Sequence, residues 1–108
     1  MEDAQQRRVA ENEATSRYVN EALDAHSPGE RRSPGAFVCE CGRRECDRVI
    51  EITPRAYERI RAHPRRFIVC PGHEEPEVET IVQTEGGFLV VEKEDEAARI
   101  AEAENPRG

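Results

Sequence analysis

The sequence predicts a small α+β domain with a further helix on either side of it. Sixteen of its 20 Val, Ile, Leu and Phe residues lie between Phe37 and Val91, so this stretch of about 55 residues holds the core. Within it, two-residue alternation and turn signals predict strands around one short helix. Three of the four cysteines lie between Cys39 and Cys46. A core this small commonly needs a metal or disulfides, and these cysteines can supply such a link.

The first 26 residues predict a helix, because they contain good helix formers and neither Pro nor Gly. A thin stripe along this helix is expected to dock on the core or on a second copy of the chain. The stripe consists of Val9, Ser16, Val19 and Leu23, flanked by Tyr18 and Ala22. Two Pro-Gly pairs then predict a linker. We therefore divide the chain into an N-terminal helix (1–26), a linker (27–36), an α+β core (37–93) and a C-terminal helix and tail (94–108).

The core predicts a short sheet, a hairpin and one helix. Residues 48–52 and 66–70 indicate strands, and Thr53-Pro54 is typical of a helix start, with the helix ending at His63-Pro64. Glu85-Gly86-Gly87 separates two further segments, 77–84 and 88–93, which indicates a β-hairpin. Residues 77–84 also fit helical spacing. We favour the hairpin, followed by a polar helix over residues 94–104.

Charge and hydropathy exclude several classes of protein. The chain has a net charge of −7, and residues 71–108 hold 11 acidic against 3 basic residues, which disfavours general binding to nucleic acid. No stretch approaches the roughly 20 apolar residues of a membrane span, and the first 30 residues lack the apolar region of a signal peptide. We expect a cytoplasmic protein with no membrane association. In a reducing compartment, the cysteines are expected to bind metal rather than to form disulfides.

The cysteine cluster predicts a zinc site. In an extended segment, residues two apart point the same way, so Cys39 and Cys41 can face one ion, and Gly42 allows a turn that returns Cys46 to it. Structural zinc usually takes four protein ligands. Cys70 and His73 compete for the fourth position, and we favour His73 because a Pro-Gly turn precedes it, whereas Cys70 ends an apolar strand. An iron-sulfur cluster is the weaker alternative to Zn²⁺.

Three sequence blocks together match a known pattern. They are Phe37-Val38-Cys39-Glu40-Cys41-Gly42 with Cys46, then Ile52-Thr53, Tyr57-Glu58, Pro64, Phe67 and Val69, and then Pro71-Gly72-His73-Glu74 with Pro76-Glu77-Val78. In these blocks the chain resembles a family of small, uncharacterised bacterial proteins over most of its length. The resemblance implies that the position of His73 holds His, whereas the position of Cys70 often holds another residue. It supports His73 as a ligand and implies no activity.

These observations favour a zinc-stabilised protein-interaction or regulatory module over an enzyme. The motifs of zinc deaminases, P-loop proteins, dinucleotide-binding proteins and α/β-hydrolases are absent, and zinc with four protein ligands cannot activate water. The expected partner is another protein, with a homodimer through the N-terminal helix as one form. The first alternative is a nucleic-acid-binding module, and the second is a thiol and zinc redox sensor. The nucleic-acid alternative uses an arginine face made of Arg43, Arg44, Arg48, Arg55 and Arg59, extended by Arg65 and Arg66.

Overall fold

The structure is a computed structural model that describes residues 3–25 and 33–105. In this part of the chain it contains three helices and two small antiparallel sheets, which confirms the α+β class. The elements in chain order are α1 (Asp3–Ala25), β1 (Gly35–Val38), β2 (Val49–Ile52), α2 (Pro54–Arg61), β3 (Arg66–Val69), β4 (Glu79–Thr84), β5 (Leu89–Lys93) and α3 (Asp95–Ala103).

Two sheets organise the core. β1 and β2 form an antiparallel pair in which Val38 lies opposite Val49. The second sheet has the order β3-β5-β4, and both of its pairings are antiparallel. The predicted hairpin is confirmed, and residues 79–84 form a strand rather than the alternative helix. Strand β1 itself was not predicted: it begins at Gly35, inside the predicted linker.

The start of α2 agrees with its sequence signal. Thr53 has an extended backbone and its side-chain oxygen accepts a hydrogen bond from the backbone N–H of Ala56 at 3.1 Å, with Pro54 at the first helical position. The helix buries Tyr57, whose ring stacks on Phe37 with centroids 4.6 Å apart. This contact joins α2 to β1 and fixes the start of the segment that leads into the cysteines.

The predicted division of the chain stays a prediction. Residues 27–32 of the linker, residues 1, 2 and 26 of the first helix and residues 106–108 of the tail lie outside the described residues. The described parts place α1 and α3 side by side, with α3 following directly after β5. Both helices therefore belong to the same packed unit as the two sheets.

The predicted stripe of α1 docks on the core only in part, through the half-buried Val9 beside Gly42. Docking of the stripe on a second copy of the chain stays a prediction. Tyr18, Val19 and Leu23 are 68%, 41% and 40% exposed, so they lie on the outer side of the helix. The buried side is polar, and its residues follow one another at spacings of four, three and four. It consists of Glu13, Arg17, Asn20 and Asp24.

The polar side of α1 is buried because the core offers it polar and aromatic partners. The guanidinium carbon of Arg17 lies 3.7 Å from the centroid of the Phe67 ring, a cation–π contact. The Lys93 ammonium forms ion pairs with Glu13 of α1 and with Glu79 of β4, and all three side chains are buried. An apolar stripe could not satisfy these groups, and a buried charge without a partner would be costly.

Strand β4 forms one edge of the three-stranded sheet. Its register against β5 shifts between Ile81 and Gln83, so Val82 is an additional residue with no partner on β5. Ile81 and Val82 are 46% and 41% exposed. The edge strand is therefore irregular and only partly buried.

Candidate metal centre

Four predicted ligand residues come together in one cluster. The sulfurs of Cys39, Cys41 and Cys46 and a ring nitrogen of His73 all lie within 4.8 Å of one another. Nδ1 of His73 lies 3.7 Å from the Cys39 sulfur, 3.4 Å from the Cys41 sulfur and 3.6 Å from the Cys46 sulfur. Three sulfurs thus surround one imidazole nitrogen at nearly equal distances.

These distances fit a tetrahedral metal ion. Zinc binds thiolate sulfur at about 2.3 Å and imidazole nitrogen at about 2.0–2.1 Å, and tetrahedral angles then separate the two ligand atoms by roughly 3.6 Å. The three nitrogen–sulfur distances of 3.4, 3.6 and 3.7 Å lie on either side of that value. The cluster can hold a metal ion, and its donor set is compatible with zinc.

The loop between β1 and β2 presents the three thiols. The backbone N–H of Cys39 donates to the carbonyl of Arg48, which extends the β1–β2 pairing by one step. Gly42 then takes a φ of +75°, in the left-handed region that glycine tolerates best. A turn in which the N–H of Cys46 donates to the carbonyl of Arg43 brings the third thiol back to the first two.

His73 reaches the cluster from a separate turn. Its backbone N–H donates to the carbonyl of Cys70, with Pro71 and Gly72 between them. Gly72 has a φ of +89°, as the third position of a type II turn requires. The guanidinium of Arg43 also donates to the carbonyl of Gly72 at 3.0 Å. This bond ties the two ligand-bearing loops together.

Backbone N–H groups point at the sulfurs. The Cys39 sulfur accepts one such bond from Cys70 at 3.2 Å, and the backbone of Arg43 and of Arg48 favours the thiolate forms of Cys41 and Cys46. Such donors stabilise thiolates and orient them toward a metal. The loop between β1 and β2, which we call the ligand loop, can thus stabilise the negative charge of the thiolates.

The thiols also affect one another. Their mutual hydrogen bond, together with burial, raises the pKa of Cys39, whereas the same hydrogen bond lowers the pKa of Cys41 to about 4. Burial raises the pKa of Cys46. A proton shared between buried sulfurs is what a cation would displace on binding, since metal ligation requires thiolates.

Cys70 lies beside the cluster without joining it. Among the described residues, the group of potential ligands contains Cys39, Cys41, Cys46 and His73 and does not include the buried Cys70. Its backbone N–H, rather than its thiol, contacts the centre.

We therefore expect Cys70→Ala to keep the metal, because alanine retains that N–H, and His73→Ala to lose it. Elemental analysis of the purified variants, expressed as metal per chain, measures this. Metal retained by His73→Ala and lost from Cys70→Ala would contradict the assignment.

Glu40 is a site residue that the sequence interpretation missed. It lies between two ligand positions, its side chain is fully buried, and its carboxylate accepts three hydrogen bonds. The donors are Asn20 Nδ2 at 2.9 Å, the Tyr57 hydroxyl at 2.8 Å and the backbone N–H of Ile68 at 3.0 Å. The backbone N–H of Glu40 also donates to the carbonyl of Ile68 at 2.8 Å. Glu40 thus joins α1, α2 and β3 to the ligand loop.

The predicted arginine face is distributed over two exposed segments. Arg43, Arg44 and Arg48 lie in the ligand loop, where the acidic residues Glu45 and Asp47 alternate with them and are also exposed. A second exposed pair on α2 consists of Arg55 and Arg59.

Two further arginines are paired with acids. Arg65 contacts Glu102, and Arg66 contacts Glu92 at 2.9 Å. Both pairs are open to solvent, so each acid offsets the charge of its arginine without burying it.

Comparison of the chain with protein-family models, curated protein sequences and solved structures finds no match. The resemblance to a bacterial family in the sequence pattern stays a prediction.

Proposed function

We propose that this chain is a structural-zinc protein that acts as a protein-interaction or regulatory module, without enzymatic activity. The Cys39, Cys41, Cys46 and His73 cluster supports the zinc part, because four protein ligands complete a tetrahedral site and leave no position for a substrate or a reactive water. Cys39 and Cys41 are 3% and 2% exposed, as expected of ligands to a metal that holds a core together.

The outer side of α1 supports the interaction part, and it is the observation that carries the proposal. Tyr18 is 68% exposed, and Val19 and Leu23 lie beside it at helical spacing, each about two-fifths exposed. The polar side of the same helix is fastened to the core through Arg17 and Asn20. A helix that faces inward with charge and outward with apolar residues presents a recognition surface, since aromatic anchors dominate protein interfaces.

A pull-down from the native cell tests the proposal. Full-length zinc-loaded chain is compared with a Tyr18→Gln/Val19→Gln variant, which removes the apolar side chains and keeps good helix formers. We expect the wild-type chain to retain a protein partner that the double variant loses at least tenfold, because truncation of central anchors costs about 2 kcal/mol or more. Val49→Thr is the matched control, since Val49 is 62% exposed but lies on β2.

Two further measurements distinguish a protein partner from nucleic acid and from a second copy of the chain. Nuclease treatment leaves a protein partner bound and removes one held through nucleic acid, which would promote the alternative based on Arg55 and Arg59. Sedimentation equilibrium of the purified chain reports whether the partner is a second copy, and self-association lost in the double variant would identify a homodimer through α1. Equal retention of every partner by the wild type and the double variant would contradict the interaction surface.

A cytoplasmic location is part of this proposal. Among the described residues, no helix has both the length and the apolar character required to cross a membrane.

A further inference from the structure

The extended segment from Val38 to Gly42, which carries Cys39 and Cys41, has two faces with different contacts. Along the extended segment, Cys39 and Cys41 point toward the metal cluster, and the residues that alternate with them contact α1. Val38 and Glu40 both bond to Asn20, and Gly42 packs directly under the helix. The helix therefore supports the back of the segment whose front supplies two metal ligands.

Asn20 holds this segment most firmly. Its Oδ1 accepts a hydrogen bond from the backbone N–H of Val38 at 2.7 Å, and its Nδ2 donates to the carbonyl of the same residue at 2.8 Å. A neighbouring β-strand would satisfy the edge of β1 in the same way. Nδ2 of Asn20 also donates to the Glu40 carboxylate at 2.9 Å, and Asn20 is fully buried.

A second contact lies at Gly42, the residue that directly follows Cys41. Asn12 Nδ2 donates to the carbonyl of Gly42 at 3.0 Å. A Cβ atom at Gly42 would lie 2.7 Å from a methyl carbon of Val9 and 2.8 Å from Cγ of Glu13. The helix backbone therefore approaches the ligand loop more closely than any residue other than glycine would permit.

We infer that Asn20 and Asn12 are positioning residues for the metal centre, and that metal occupancy and docking of α1 are thermodynamically linked. The asparagines fix the backbone on either side of Cys39 and Cys41, and the metal fixes the same backbone from the other face. Docking of α1 therefore stabilises the backbone arrangement that binds the metal, and the metal stabilises the arrangement on which α1 docks. Linkage requires these two free-energy effects to be equal. Loss of the metal releases α1, and release of α1 weakens the hold on the metal.

The linkage makes the outer surface of α1 dependent on the metal. Most of the stability of a helix in a protein comes from tertiary packing, so an undocked α1 (23 residues) no longer holds Tyr18 and Val19 in a fixed arrangement against the core. This regulatory consequence rests on the proposed function, whereas the linkage itself does not.

The rate of zinc release from the folded, full-length chain tests the linkage without any partner. Zinc-loaded chain is mixed with an excess of a chromophoric chelator, and transfer is followed by absorbance. We expect Asn20→Ala to release zinc about tenfold faster than the wild type, because it removes three hydrogen bonds to Val38 and Glu40, the residues on either side of Cys39. Asn12→Ala removes one bond, and we expect a change of about two- to threefold. This milder variant also serves if Asn20→Ala fails to fold.

Thr53→Ala is the control for general destabilisation. It removes the cap of α2, a loss that destabilises a helix by an amount comparable to one hydrogen bond, and Thr53 bonds to Ala56 rather than to α1 or the ligand loop. We expect Thr53→Ala to release zinc at a rate within about twofold of the wild-type rate. In cobalt-substituted chains, the thiolate and ligand-field absorption bands should shift in Asn20→Ala and keep their positions in Thr53→Ala.

Release at the wild-type rate in both asparagine variants, or equal acceleration in Thr53→Ala, would overturn the linkage. Faster release in the asparagine variants would support it even if the Tyr18→Gln/Val19→Gln pull-down showed no partner. The release assay and the pull-down therefore fail independently of each other.

Discussion

Removal of the metal is expected to abolish the cooperative unfolding transition of the core. The four ligand residues come from two loops that the unfolded chain does not hold together, so the free energy of metal binding becomes free energy of folding. For structural zinc this amounts to about 10–16 kcal/mol, which is comparable to the whole stability of a typical small domain, roughly 5–15 kcal/mol. Thermal melting followed by circular dichroism, before and after chelation, measures the effect.

A ligand variant provides the control for the chelator. His73→Ala in the absence of chelator should reproduce the metal-free melting curve, and addition of zinc should restore the transition in the wild type but not in the variant. An unchanged melting curve after elemental analysis has verified metal removal would show that the core folds without the metal.

Glu40→Ala is expected to lower the free energy of unfolding by about 3–5 kcal/mol, because three buried donors lose their acceptor and each unsatisfied buried group costs about 1–3 kcal/mol. The substitution leaves the Asn20 amide, the Tyr57 hydroxyl and the Ile68 N–H without their acceptor inside the core. Burial and the Glu40 carboxylate also raise the pKa of Tyr57, which favours the protonated hydroxyl that donates to Glu40. Urea unfolding of the metal-loaded chain gives the value.

Two substitutions bracket this expectation. Glu40→Gln retains the shape and one acceptor oxygen, so we expect a smaller loss of about 1–3 kcal/mol. Glu45→Ala changes an exposed carboxylate of the same loop, and its effect should stay within about 0.5 kcal/mol. If Glu40→Ala unfolded at the same urea concentration as Glu45→Ala, Glu40 would not hold the elements together.

Apart from β1, the elements of the core were predictable, as was the ligand cluster, because their signals are local. Thr53-Pro54 specifies a helix start within two residues, and Gly86-Gly87 specifies a hairpin between two β-branched segments. The alternation of Cys39 and Cys41 places two sulfurs on one side of an extended chain. The turn before His73 brings the fourth residue to the cluster through a backbone geometry that proline and glycine favour.

The docking of α1 was not predictable by the apolar-stripe rule. The surface that the core offers to the helix contains the backbone edge of β1 at Val38, the Glu40 carboxylate and the Lys93 ammonium. These groups require polar partners, and they come together only after the two sheets have formed. The available signal was the spacing of Glu13, Arg17, Asn20 and Asp24, a polar stripe as regular as the apolar one.

The role of Glu40 was hidden for a related reason. Its partners lie 17 to 28 residues away along the chain, so no short motif contains them. Alternation with the two cysteines indicates only that Glu40 points away from the metal. What it meets there depends on how α1, α2 and β3 assemble.

The bulge at Val82 bears on whether the exposed edge of the sheet can pair with another chain. An edge strand with exposed Ile81 and Val82 offers backbone groups to any other extended chain, which is the first step toward uncontrolled sheet growth. One additional residue in β4 bends the strand and interrupts the regular spacing that an incoming strand would need. We expect deletion of Val82 to straighten that edge and to make its backbone groups easier for another extended chain to pair with.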